Sequence, residues 1–107
     1  MTLDQFKAAR NVLQGVIRPT NLIHSPALSK SCGNQVYLKP ENMQVTGAYK
    51  IRGAYYKIST LSDDEKSRGL ITASAGNHAQ GLAYAAQAAG VSATIVKIGR
   101  ASCRERV

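Results

Sequence analysis

Two short runs in this chain carry residue types that can do chemistry: Thr46-Gly-Ala-Tyr-Lys-Ile-Arg-Gly-Ala54 and Ser74-Ala-Gly-Asn-His-Ala-Gln-Gly81. In the first, Lys50 stands at the opening turn of a predicted helix, where the electropositive backbone end favours the neutral amine over the ammonium. A neutral lysine is a nucleophile toward aldehydes. Gly47 lets the backbone come close to a ring or a phosphate, and Tyr49 has a flat face to set beside one. Most helical lysines are simply solvated, so these residues alone leave that reading open.

The second run has more content. Ser74 is placed as an N-cap, Gly76 permits close approach, and the amides of Ala75, Gly76, Asn77 and His78 would lack intrahelical acceptors at a helix start. Such a start is suited to a carboxylate or a phosphate. The Asn77 side-chain amide can donate to a phenolate-like oxygen, and His78 can buttress the turn. Ser-x-x-Asn ahead of an Ala-rich helix is also an ordinary cap, so a purely structural role competes on even terms.

The elements that must position these runs are legible as periodicities. Thr2 and Gln5 form a capping box, and Phe6, Ala9, Leu13, Val16 and Ile17 follow at helical spacing until Arg18-Pro19 ends the helix. Residues 22–30 are mixed, with Ser25-Pro26 marking a turn, and Gly33-Asn34 is a turn signal ahead of a short strand at 36–38. Ile51, Ala54, Tyr55 and Ile58 predict an amphipathic helix over about 48–60. Ser62 and Glu65 form a second capping box, on a short helix that Gly69 stops. A strand at 70–73, an Ala-rich helix at 77–89 with Ala79, Leu82, Ala83 and Ala86 on one face, a Gly90 cap and a strand at 93–96 complete the pattern. Strand–helix alternation with short connections predicts an α/β fold: a partial parallel sheet with helices on both faces, and both glycine-bearing runs at the carboxyl ends of strands.

Size and charge narrow the classes. The 107 residues suffice for one modest domain or a piece of one. The net charge of +8 raises nucleic acid or an acidic membrane as a partner, but the distribution argues against both. Residues 98–107 hold Arg100, Arg104 and Arg106 against Glu105, and the remaining basic residues fall singly, as a solvated face does. The two cysteines, Cys32 and Cys103, build no disulfide framework. The N-terminus lacks the basic start and apolar core of a signal peptide, and no run has the apolar length of a membrane span. The chain reads as cytoplasmic. No Walker run, dinucleotide fingerprint or zinc-ligand spacing occurs. Glu41 and the acids at 63–65 are assigned no catalysis.

Leu38-Lys-Pro-Glu-Asn-Met-Gln-Val-Thr-Gly-Ala-Tyr-Lys-Ile-Arg-Gly-Ala54 and Thr72-Ala-Ser-Ala-Gly-Asn-His-Ala-Gln-Gly81 resemble the threonine ammonia-lyase (threonine dehydratase) family of fold-type II pyridoxal-phosphate enzymes, whose fold is like that of the tryptophan synthase β chain. The likeness runs from near the N-terminus to about Val96, with serine racemase the nearest competitor and cysteine synthase and threonine synthase more distant. It implies that Lys50 joins covalently to pyridoxal 5'-phosphate and later removes the α-proton of the substrate. It implies that Asn77 hydrogen-bonds the ring hydroxyl oxygen and that Tyr49 lies beside the cofactor. Ser74, Ala75, Gly76 and His78 would line the loop that grips the substrate carboxylate. Tyr49 stands where many members have Phe and Ala48 where many have Ser, swaps that keep size roughly constant.

The implied reaction converts L-threonine to 2-oxobutanoate and ammonia, and L-serine to pyruvate, in a homo-oligomeric parent acting on a small amino acid. Biosynthetic (isoleucine) and catabolic roles both stay open. The glycine-rich phosphate loop and the partner of the pyridine nitrogen fall beyond position 107 in the family, so residues 1–97 read as an incomplete N-terminal portion, inactive alone. Residues 98–107 depart from the family pattern and read as a foreign tail. A serine racemase on the same fold and a non-enzymatic basic binding module are the alternatives.

Overall fold

The computed structural model describes residues 1–97; the foreign-tail reading of residues 98–107 lies outside that range. Helix α1 (Leu3–Leu13) opens on the Thr2–Gln5 capping box, with both reciprocal bonds made. It ends one turn short of the predicted limit, because Gly15 takes a positive φ of 77° and the chain leaves the helix before Val16.

Two elements appear where the sequence showed only turns. Ser25 caps α2 (Pro26–Cys32), accepting from the Leu28 amide, and Pro26 occupies the first turn, where its missing N–H costs nothing. On either side of α2, β1 (Ile23–His24) and β2 (Tyr37–Leu38) pair antiparallel, Ile23 with Leu38 and His24 with Tyr37. The strand predicted at 36–38 therefore does not join the parallel sheet. Two-residue strands are too short to carry a period, and their pairing is decided by where α2 returns the chain.

After a 3₁₀ turn at Glu41–Met43 come α3 (Lys50–Ser59) and α4 (Asp63–Ser67). The Ser62–Glu65 capping box is formed as read. β3 (Leu70–Ala73), α5 (Asn77–Ala89) and β4 (Ala93–Val96) make one parallel βαβ unit, in register from Leu70↔Ala93 to Ala73↔Val96. Gly90 ends α5 in the left-handed conformation. The α/β class and its partial parallel sheet stand, confined to two parallel strands among the described residues. None of the described helices is long and apolar enough to cross a membrane.

The core lies between α3, α5 and one face of the β3–β4 pair. Ala54 and Ile58 pack on Leu82 and Ala85, with Tyr55, Leu61, Leu70 and Ile95 around them. Helix α5 is touched on two sides, so its buried set is wider than one stripe: Ala79, Gly81, Leu82, Ala85 and Ala86 are buried, while Ala83, placed on the inner face by periodicity, is exposed. Strand alternation leaves the other face of the sheet open, with Ile71 75% exposed.

A polar network fastens the N-terminal segment to α3. Glu41, with its side chain 19% exposed, accepts a two-pronged bond from Arg52 (Nε 2.9 Å, Nη2 2.8 Å) and a third from the Thr20 hydroxyl at 2.7 Å. Lys39 Nζ donates to the Thr20 carbonyl. Gln44, buried, pairs with both backbone groups of Arg18. The Arg52 fork, against the opposing effect of partial burial and with help from Thr20 and Gln44, holds the Glu41 carboxyl at about 2, well below its ordinary 4.5.

Ile51, fully buried on α3, should cost the fold about 2–5 kcal/mol on truncation to Ala, whereas Ile71→Ala should stay within about 0.5 kcal/mol; urea midpoints check both. Because the Glu41 pKa is depressed in the folded state, its contribution is complete above pH 4.5 and is lost as pH falls toward 2. Acid titration followed by circular dichroism should show a loss of about 2 kcal/mol in that window, after allowance for solvent screening, and Glu41→Gln should flatten it.

Candidate active site

Lys50 is the first residue of α3 and is exposed, as is Tyr49 before it. The turn that delivers them closes with the Gly47 amide donating to the Gln44 carbonyl at 2.8 Å, and Gly47 has a φ of 70°, a conformation side chains rarely adopt. Lys50 Nζ lies 5.3 Å from the centroid of the Tyr49 ring, within cation–π range, so amine and aromatic face sit side by side.

The second run follows β3 directly. The Ser74 amide donates to the Val96 carbonyl at 3.0 Å, carrying the β3–β4 ladder one residue further. The sequence reading placed Ser74 as the N-cap of α5; instead Gly76 occupies that position, with φ −141° and ψ −138°, and no side chain caps the helix. The Ser74 hydroxyl accepts from the Gly76 amide at 3.3 Å, an internal turn that competes with capping and pulls the hydroxyl two residues back. The helix start is consequently left to its backbone amides, with Ala75 exposed and Gly76, Asn77 and His78 half-buried around it.

Gly81 brings the two runs together. A Cβ built there would stand 3.2 Å from the Lys50 carbonyl carbon and oxygen and 3.2 Å from the Ile51 nitrogen, so the absence of a side chain lets α5 lie against the backbone of the α3 start. Asn77 is one turn earlier on the same face of α5, about 6 Å along its axis. Lys50, Tyr49, Asn77 and the loop at residues 74–78 thus belong to one region built from two adjoining helix starts. Of the predicted expectation that both runs follow parallel strands, only the second is met: α3 follows the 3₁₀ turn at Glu41–Met43.

No local pattern announces the Glu41–Arg52 pair beside this region, since its members are eleven positions apart and neither belongs to a recognisable motif of paired charges. A concavity of about 1020 Å³ lies elsewhere, between α1 and the side of α3 formed by Arg52, Gly53 and Tyr56. Neither Lys50 nor any residue of the 74–78 loop lines it.

The L-threonine ammonia-lyase of Thermotoga maritima is 53% identical over 96 residues, which are 90% of this chain and 24% of that protein. The serine racemase of Dictyostelium discoideum superposes with a TM-score of 0.90 at 33% identity, over 99% of this chain and 35% of that one. The processed form of threonine deaminase isoform 2 from Solanum lycopersicum does so with a TM-score of 0.74 at 38% identity, over 91% of this chain and 28% of that one. The chain therefore spans about a quarter of the length of the Thermotoga relative and about a third of these solved structures. The family model described as pyridoxal-phosphate dependent enzyme matches residues 13–106, and the chain belongs to that family.

Proposed function

We propose that this chain is part of a threonine ammonia-lyase, converting L-threonine to 2-oxobutanoate and ammonia with pyridoxal 5'-phosphate, and L-serine to pyruvate. The observation that carries the reading is the contact of Gly81 with the Lys50–Ile51 peptide, which sets a lysine at one helix start beside an uncapped helix start. The donor set suits a flat anionic aldehyde: an amine, an adjoining aromatic face, and backbone amides with open space at Gly76. Identity to a threonine ammonia-lyase at 53% supports the choice of substrate.

In this reading Lys50 holds the cofactor through its amine, Tyr49 lies beside the ring, and Asn77 donates to the ring oxygen. When bound, the cofactor supplies an electron sink that stabilises negative charge at the substrate Cα. The loop of Ser74, Ala75, Gly76 and His78 would hold the substrate carboxylate and so fix which bond at Cα faces Lys50. Lys50 Nζ would also be the base placed to take the Cα proton. The net reaction loses one water across Cα and Cβ and takes one up in hydrolysis, so L-threonine gives ammonia and the 2-oxo acid. The phosphate loop and the partner of the pyridine nitrogen belong to the remainder of the protein, so residues 1–107 by themselves are inactive in this reading. The parent is a homo-oligomer acting on a small amino acid, in the cytoplasm, with no nucleic acid or membrane partner.

A serine racemase reading has one specific support, the TM-score of 0.90 to the Dictyostelium racemase. Full-length protein given L-serine should yield pyruvate, and given L-threonine should yield 2-oxobutanoate; accumulation of D-serine in place of 2-oxo acid would decide for the racemase. On the full-length protein, borohydride trapping with pyridoxal phosphate followed by peptide mapping should place the label on Lys50, and Lys50→Ala should remove it. Gly81→Val should destabilise the chain by about 1–3 kcal/mol and lower labelling at Lys50, because the backbone it meets at 3.2 Å has no flexible end to move aside.

A further inference from the structure

The start of α3 lacks each of the usual local supports. Its N-cap residue, Tyr49, makes no side-chain capping bond, and no acidic residue occupies its first turn. Gly53 follows immediately, and a glycine inside a helix weakens it by about 0.5–1 kcal/mol relative to alanine. An isolated turn of this composition would fray, and fraying at this end would release Lys50.

What holds the turn comes from outside the helix, and from two directions. Ile51 is fully buried, and the peptide joining it to Lys50 lies against Gly81 of α5. Arg52, one residue on, is turned about 100° further around the axis and gives its guanidinium fork to Glu41, which Thr20 also contacts. Three successive residues therefore point three ways: Lys50 outward beside Tyr49, Ile51 inward, and Arg52 to the carboxylate. A turn gripped on two sides cannot roll about its axis, and its roll angle sets where Lys50 points.

We propose that the Glu41–Arg52 pair is a positioning device for Lys50, with Arg52 as the positioning residue and Glu41 as the carboxylate brought from the preceding 3₁₀ turn in place of a local helix cap. The inference rests on the reading of Lys50 as the cofactor-binding amine. Lysine at position 52 keeps the charge but not the two-pronged geometry, so a planar fork is required and charge alone does not suffice. Thr20 completes the device by occupying a further acceptor site on Glu41 and tying it to the N-terminal segment.

The test measures borohydride-trapped labelling of the full-length protein by pyridoxal phosphate over a range of concentrations, read by peptide mapping. It gives a limiting rate and a half-saturation concentration at Lys50, with exposed Lys7 and Lys57 as internal references. Arg52→Lys should lower the limiting rate at Lys50 about tenfold, the scale on which misplacing a reacting group by less than about 1 Å is felt, with half-saturation and reference labelling unchanged. Glu41→Gln should act in the same direction and less strongly. Hydrogen exchange at Leu82 and Ala85 reports whether the α3–α5 core persists. Unchanged limiting rates in both variants overturn the proposal, as does loss of core protection in both, which would assign the pair to stability alone. Absence of preferential Lys50 labelling in the unaltered chain is a separate result and would count against the proposed function itself.

Discussion

The absence of a side chain at Gly81 is the constraint on which the arrangement depends. Two helices meeting backbone to side chain keep their axes about 8–10 Å apart; at Gly81 the α5 backbone meets the Lys50–Ile51 peptide with no room for a Cβ. That contact fixes where α3 begins relative to α5, so it fixes the lysine relative to the start of α5. Small residues extend the same logic along α5. Ala85 and Ala86 are almost wholly buried and carry little side chain to hold α3 or the sheet away. An Ala-rich helix is a poor source of buried area per residue but a good spacer for bringing two backbones together.

Electrostatics divides the chain into a few engaged charges and many idle ones. Glu41 gathers Arg52 and Thr20, with Lys39 4.0 Å away, in a partly shielded position where the fork geometry is favourable. By contrast Asp4–Lys7 and Asp64–Arg68 are exposed pairs spaced along single helices, of the kind that contribute a few tenths of a kcal/mol.

The apolar surface has its own logic. Ile71 and Val96 are exposed on the outer face of the β3–β4 pair, and Leu3 and Phe6 on α1. In a family whose compared members are some three to four times as long, such faces are where further layers pack. A two-stranded parallel sheet covered on one side gains too little burial to be robust, and exposed strand edges invite association.

Sequence alone determined the elements with strong periodicity or strong punctuation: the two capping boxes, the βαβ unit from Leu70 to Val96, the Gly90 stop, and the core face of α3 through Ile51, Ala54 and Ile58. These depend on interactions within a few residues, which is why they can be read locally. The motifs around Lys50 and residues 74–81 were legible for the same reason, as strings of residue types at fixed spacing. Tertiary structure decided what required two distant segments to meet. It paired Tyr37–Leu38 with Ile23–His24 and not with the parallel strands, turned Ser74 away from the helix it was read to cap, and widened the buried face of α5 to exclude Ala83. It also joined Glu41 to Arg52 and set Gly81 on the lysine's own peptide, contacts that no local pattern encodes because each partner looks ordinary until the chain has folded back upon itself.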